Sequence, residues 1–470
     1  TAGALPIRGR PVTDVHTIPM TRRLADFAAS VTAGSLPAPV AHNARRALVD
    51  WIAAALAGAR EPAADKVNRV IGMVGPDTGA TVVGRGTATS APFAAFANGY
   101  TSHLLDFDDI FNPPYTTVHL GSCVWPVVLA LGETRRASGA AALAAYVAGF
   151  EVGARVGCAA GVQHYESGWH VTGTAGHVAS AAAAAKVLGL PGSAVVHALG
   201  AAATQAAGIR EVYGSDSKSL HPGKAALDGV LSVLLAEQGF TATETAIEGR
   251  MGLLNAVTPT PVPERLVEAF GEQWHLLENG HKLYPSASLT HPPIDAVRAV
   301  LADTPVDPGE VTGVEVRLAP FPAEVTALRQ PETGSAARFS TAHCVAVALL
   351  TGFVRPADFT DAVAVDPTVA ALRDLVRIVA DPELTKRGTR VRIELAGGAV
   401  LEHRVEQNRG TPADPLSDDE LADKLLSAAE PYLSPAAAAE LLERCWEFDR
   451  LADVSDVLRP LREQVAAASG

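Results

Sequence analysis

The sequence predicts a mainly helical protein in which a smaller α+β unit interrupts the helical chain. Three features carry that reading. Long Ala-, Leu- and Val-rich runs fill the first part of a chain that is 48% hydrophobic but only 5% aromatic, and alanine favours helix because it gives up no side-chain entropy there. Past residue 275 two stretches switch to the two-residue alternation of strands. From Pro415 onward the helical texture returns.

Taken in order, residues 1–18 read as a loose arm. A helix is expected over 21–34, with Leu24, Phe27 and Val31 on one face, and a second over 39–58, striped by Ala44, Leu48, Trp51 and Ile52. Residues 75–86 form a Gly- and Thr-rich connection with a short apolar alternation, ahead of a helix near 91–100. The apolar run 124–131 reads as a buried helix, and further helices are expected at 140–157, 174–188 and 193–207. Residues 208–223 read as a polar, Gly-rich loop leading into a helix over 225–239 that ends at a glycine cap. In 311–318, Val314, Val316 and Leu318 alternate with Glu315 and Arg317, as a half-buried strand requires. Residues 389–405 read as a hairpin turning at the two-residue Gly397-Gly398, and a helix over 340–352 lies between the strands. Ser417-Asp418-Asp419-Glu420 has the form of a capping box. The expected divisions are a helical first part over 19–272, an α+β lid over 273–405 and a helical return over 406–470.

The 470-residue length allows a large core and more than one unit. A formal net charge of −13 argues against nucleic-acid and anionic-membrane partners. Cys123, Cys158, Cys344 and Cys445 are widely spaced with no CxxC pair, which fits reduced thiols and not a disulfide framework. The first residues lack an apolar signal core, and no stretch reaches membrane-spanning length without polar interruption. A cytoplasmic protein is expected.

The chemistry concentrates in a few loops. Residues 98–133 gather His103, Asp106, Asp108, Asp109 and His119 around the turn-forming Asn112-Pro113-Pro114. Later come Gly168-Trp169-His170, then Lys218 to Lys224 with His221 between them, then His281-Lys282-Leu283-Tyr284-Pro285. Removing a proton beside a carboxylate needs a base at the C–H, fixed positive charge for the carboxylate and an acid for the leaving group. Imidazole serves as base or acid near neutrality, and lysines clamp carboxylates. The ordinary alternative stands beside this. A loop histidine is more often simply hydrogen-bonded, His177 and His197 read as helix residues, Lys224 could merely open a helix, and Asp108 and Asp109 could brace a turn. A metal reading of His103-x-x-Asp106-x-Asp108-Asp109 competes as well, although no HExxH and no second Asp-rich helix accompany it.

Together these groups resemble the MmgE/PrpD family, which includes 2-methylcitrate dehydratase, cis-aconitate decarboxylase and iminodisuccinate epimerase. The resemblance runs from about Leu24 to Leu433. It rests on Asn98-Gly99 with His103-x-x-Asp106-Phe107-Asp108-Asp109, on His119 before Gly121, and on Gly168-Trp169-His170-x-Thr172-Gly173-Thr174-x-Gly176. Lys218-x-x-His221-x-Gly223, Gly239-Phe240-Thr241, Glu248-Gly249-x-x-Gly252, Lys282-x-Tyr284-Pro285, His291-Pro292-x-Ile294-Asp295, Gly410-Thr411-Pro412 and Pro415-Leu416-Ser417 continue it. The resemblance implies a large all-helical domain built from both chain ends, a smaller inserted α+β domain, a homodimer, and no metal or organic cofactor. It implies a site at the junction of the two domains, with Asp106, His119, His170, Lys218 and Lys282 as catalytic residues. His119 and His170 would exchange protons, the lysines would clamp carboxylates, and Asp106 would be an orienting or proton-transfer carboxylate. His103, His221, Tyr284 and Ser286 are expected to contact a small anionic carboxylate substrate.

Two departures bear on the reaction. Decarboxylase-like members carry a histidine shortly after the Lys-x-aromatic-Pro unit, where this chain has Ser286 and Ala287, and a tyrosine where it has residues 328–331. The expected activity is therefore a cofactor-independent lyase of a small di- or tricarboxylate, foremost the dehydration of a 2-methylcitrate-like hydroxy acid. An epimerase or isomerase, a decarboxylase, and a non-catalytic binding protein are the alternatives.

Overall fold

The computed structural model describes residues 18–468, so the expected N-terminal arm lies almost wholly outside the described residues. The chain opens with helices Met20–Ser30, Ala38–Gly58, Pro62–Val74 and Ala91–His103, with a small antiparallel pair, Ala80–Val82 and Thr87–Thr89, between the last two. Helices Gly121–Arg135, Gly139–Ala160, Val171–Val187, Gly192–Ala203 and Ser217–Glu237 follow. Small residues let these helices approach closely. A Cβ on Gly149 would meet the Ala179 carbonyl oxygen at 2.8 Å, and one on Gly153 would meet the Ala179 side chain at 2.6 Å.

The hydrophobic core formed by these helices runs from Leu24 to Leu276 and resumes at Leu416 through Leu461, so both chain ends build it. The return segment supplies helices Asp418–Ala429 and Pro435–Trp446. Ser417 and Glu420 close the expected capping box on the first of these. A second core, Tyr284 to Ile393, belongs to the inserted α+β unit. Its four strands lie in the order Val376–Ala380, Val311–Leu318, Thr389–Leu395, Val400–Val405, with the first pair parallel and the other two antiparallel. Val314, Val316, Leu318, Val391 and Ile393 point inward against helices His291–Asp303 and Thr341–Thr351.

Several expectations are corrected. Lys218, His221 and Gly223 lie in the helix Ser217–Glu237, not in a loop; Pro222 is tolerated near its start, where only the Lys218 carbonyl loses a partner. Gly239 does take the left-handed cap conformation, φ 81°. The hairpin turn has three residues, not two: Leu395 N–H donates to Ala399 O, Gly398 N–H donates to Leu395 O, and Gly398 alone has positive φ. Helix Pro62–Val74 and strand Val376–Ala380 had no counterpart in the sequence reading. The Gly139–Ala160 helix has the length and apolarity to cross a membrane, yet nearly all of it is buried within the protein. Its Glu151 and Arg155 pair at 2.8 Å inside the core, with the guanidinium over the Phe270 ring.

One buried cation ties three parts of the chain together. Lys424 Nζ, from the return segment, donates to Asp50 Oδ1 at 2.6 Å, to Phe107 O at 2.7 Å and to Lys282 O at 2.8 Å.

Candidate active site

Helix Ala91–His103 ends just before Asp106, whose backbone lies in the left-handed region at φ 50°. Aspartate tolerates that conformation better than most residues. A short bridge between Ile110–Phe111 and Asn279–Gly280 then brings the Lys282 side chain within reach of Asp106. Asn279 Nδ2 donates to Asp109 Oδ2 at 2.8 Å, and Asp109 also accepts from Gly121 N at 3.0 Å, at the start of the Gly121–Arg135 helix. Asp109 thus joins the two units and steadies the helix that follows His119.

Asp106 is the hub. Its Oδ1 accepts from Lys218 Nζ at 2.9 Å and from Lys282 Nζ at 2.7 Å, and the Asp106 carbonyl accepts from Lys282 Nζ at 2.9 Å. Burial alone would raise this carboxyl, but the two ammonium groups outweigh it and hold Asp106 well below the usual carboxylate range. Burial, opposed by Asp106, lowers Lys218. Lys218 Nζ also lies 5.5 Å from the ring centres of Tyr213 and Phe339, within cation–π reach.

His119 Nδ1 lies 2.7 Å from the Asp109 carbonyl. A carbonyl only accepts, so Nδ1 carries the proton and Nε2 is the free base. That Nε2 stands 3.9 Å from Asp106 Oδ1. Burial, with help from Lys282 and His103, lowers His119 to about 3 against the opposing pull of Asp108 and Asp106. Asp108 stands 3.5 Å behind Nδ1, ready to stabilise an imidazolium, and is itself bonded by His103 Nδ1 at 2.9 Å and by Ser122 Oγ at 2.7 Å. His170 precedes the Val171–Val187 helix and is anchored by its N–H to Gly208 O. Its Nδ1 is 2.8 Å from His221 Nδ1, so the two rings share one proton between them. Burial first, then Lys218 and His103, keeps His170 well below the ordinary imidazole range.

Asp106, His119, His170, Lys218 and Lys282 all line one cavity of about 330 Å³ at the junction of the two cores. The other expected contacts stand behind its wall. His103 is packed edge-on against His119 and bonded to Asp108, and His221 braces His170. Tyr284 is fully buried with its hydroxyl between Asp295 and Arg298, and Ser286 is fully buried against Thr290 Oγ1. The wall expected from Ser286 is made instead by Ala287, Ser288 and Leu289. Phe321, Val325 and Phe339 add an apolar face that sequence reading did not find. Tyr213 lay in the polar, Gly-rich stretch 208–223, ahead of the Lys218 to Lys224 group that carried the expected chemistry, and nothing marked its ring as a wall.

A metal reading meets a specific obstacle. Ligand atoms of His103, Asp106, Asp108 and His119 lie within 4.8 Å of one another. Yet two lysine ammonium groups already bond Asp106 Oδ1, and His103 Nδ1 and Ser122 Oγ already bond Asp108. A cation drawing on these oxygens would compete with those partners.

A mainly helical scaffold with an inserted α+β unit thus holds two imidazoles and two ammonium groups around one carboxylate in a single cavity. The MmgE/PrpD N-terminal domain matches residues 22–266 and the MmgE/PrpD C-terminal domain residues 284–448, and the chain belongs to the MmgE/PrpD family. It is 27% identical to a cis-aconitate decarboxylase of Aspergillus terreus, covering 94% of this chain and 96% of that protein. It is 26% identical to the cis-aconitate decarboxylase of Mus musculus over 90% of this chain and 89% of the relative, and 25% identical to that of Homo sapiens over 93% of each.

Proposed function

We propose that this chain is an acid–base lyase of a small carboxylate that needs no cofactor for its chemistry, and that it eliminates water from a hydroxy acid of the 2-methylcitrate type. The observation that carries the reading is His119 Nε2, an unprotonated base in a buried cavity beside an Asp106 carboxylate shared by two ammonium groups. Lys282 holds the substrate carboxylate. His119 Nε2 takes the proton from the adjacent carbon, and the C–H electron pair moves toward the carboxylate as an enediolate. That charge is neutralised by Lys282, and the new imidazolium by Asp108. Collapse of the enediolate forms the C=C bond and breaks the C–O bond, and the leaving hydroxide takes a proton from Lys218. Burial makes that proton easier to give, and His170 is placed to hydrogen-bond the same oxygen. The products are the unsaturated acid and water.

The second reading is decarboxylation. It is favoured by the relatives, which are cis-aconitate decarboxylases, and opposed by Ala287, a cavity-lining methyl where decarboxylase-like members carry a histidine shortly after the Lys-x-aromatic-Pro unit. One experiment separates them. The protein is incubated with 2-methylcitrate, citrate, related hydroxy diacids and cis-aconitate while alkene absorbance and released CO₂ are followed together. Alkene without CO₂ supports the dehydratase, CO₂ from cis-aconitate supports the decarboxylase, and neither across the panel sinks the lyase reading.

A further inference from the structure

The cavity has a second cationic end. Lys386 and Arg387 lie in the turn between strands Val376–Ala380 and Thr389–Leu395, and that turn reaches across the cavity mouth to the Asn112-Pro113-Pro114 segment of the helical unit. Lys386 Nζ donates to Asn112 Oδ1 at 2.9 Å and Arg387 Nη2 to Asn112 O at 2.6 Å. Lys386 lines the main cavity, the small pocket beside Lys282 and the outer vestibule of about 550 Å³, so it stands where the three meet. Neither cation forms an ion pair among the described residues, whereas almost every other cation facing the site has a carboxylate within 4.0 Å. Glu166 also lines the cavity and Glu278 the vestibule, but neither pairs with Lys386 or Arg387. Pro113, Leu289, Phe321 and Val325 give the cavity an apolar part of its wall.

We propose that Lys386 binds a second, distal carboxylate of the substrate, assisted by Arg387, and that the cavity therefore selects diacids over monoacids of the same length. The proposal rests on the reading of the cavity as a carboxylate site. The charges explain the selection. At the inner end, Asp106 already neutralises one of its two lysines, so that end is matched to a single carboxylate. A second carboxylate left against the apolar wall would lose its hydration without a partner. At Lys386 it finds an ammonium held only by a neutral amide oxygen, which a carboxylate replaces with a charge-assisted hydrogen bond.

Binding is read without turnover, so failure of the lyase assay and failure of this proposal are distinguishable. The probes are an unreactive saturated diacid of four or five carbons and its half-amide, titrated calorimetrically into wild type, Lys386→Gln, Lys386→Arg and Asn112→Ala. Wild type is expected to prefer the diacid by about 10- to 100-fold, the range of one charge-assisted hydrogen bond. That ratio falls to near one in Lys386→Gln and is largely restored in Lys386→Arg. Asn112→Ala, which removes the clasp but not the charge, keeps most of the preference. If Lys386→Gln keeps the wild-type ratio, or if Asn112→Ala abolishes it as fully as Lys386→Gln does, the proposal is overturned and the turn is only a structural clasp.

Discussion

Replacing Lys424 by methionine tests the junction of the three chain segments quantitatively. The ammonium is bonded to Asp50 Oδ1, Phe107 O and Lys282 O, and Asp50 is 0% exposed with its Oδ2 already unpartnered. Methionine fills similar volume, so the cost comes from the stranded carboxylate and is expected at about 3–5 kcal/mol. The carboxylate can escape by binding a proton, and that sets a ceiling. From its ordinary value of 3.8, protonation at pH 7 costs about 4.4 kcal/mol, at 1.36 kcal/mol per pH unit. At pH 5.5 it costs only about 2.3 kcal/mol. Burial raises Asp50 to about 6 even against the pull of Lys424, so without the lysine the folded carboxyl binds its proton throughout this range. A folded pKa raised above the unfolded one gives stability that is present below 3.8 and lost as pH rises. Wild-type Asp50, with its folded value at about 6, itself takes up part of a proton over the same range, so the deficit of Lys424→Met relative to wild type should shrink by about 1 kcal/mol between pH 7 and pH 5.5. Denaturant unfolding at both pH values measures it, and the double variant Asp50→Asn/Lys424→Met should recover most of the loss. A deficit below about 1 kcal/mol at pH 7, or one that does not change with pH, would refute the reasoning.

Further outcomes follow from the site and the packing. His119→Gln should lower kcat by roughly 10²- to 10⁴-fold with an unchanged unfolding midpoint, as steady-state kinetics and a melt would record. The alkaline limb of kcat/KM should fall below the ordinary lysine value of 10.5, because burial lowers Lys218 and loss of its proton removes the acid. In Asp106→Asn that limb should move lower still, since the carboxylate that favours the ammonium is gone while Lys282 still repels it. Ser286→Ala should change kcat/KM by less than about threefold, because its hydroxyl meets Thr290 and not the cavity; Leu289→Ala, by contrast, should alter the ranking of substrates in a competition assay. Gly139→Ala should destabilise by more than about 2 kcal/mol, since its Cβ would meet the Phe448 carbonyl at 1.6 Å and force the return segment away.

The helices with strong apolar stripes and the alternating strands were legible in the sequence because burial imposes those periods locally. Ser217–Glu237 was misjudged at its start because Pro222 and Gly223 carry loop signals that a helix tolerates when neighbouring helices press close, as Phe96 does on Gly223. The five cavity residues were recognisable together only through their family pattern. Tyr284 and Ser286 are neighbours of Lys282 in sequence, but the chain turns there, so Tyr284 goes to Asp295 and Ser286 to Thr290. Lys386 and Arg387 sit in an ordinary turn of polar residues, and only the path of the sheet across the mouth gives them a place. Lys424 was equally silent, since its meaning comes from Asp50, hundreds of residues earlier.

The split core has a consequence for biosynthesis. The Ala38–Gly58 helix buries residues such as Leu48, Trp51 and Ile52 in a core completed by Leu421 and Leu425 of the return segment. At a synthesis rate of about 5–20 residues per second, that earlier surface waits roughly 20–70 s for its cover to emerge. During the same interval the Gly139–Ala160 helix, as apolar as a membrane span, is also not yet fully enclosed. The nascent chain therefore carries its stickiest surfaces longest, and holdase chaperones that shield apolar segments should bind it until residues near 425 leave the ribosome.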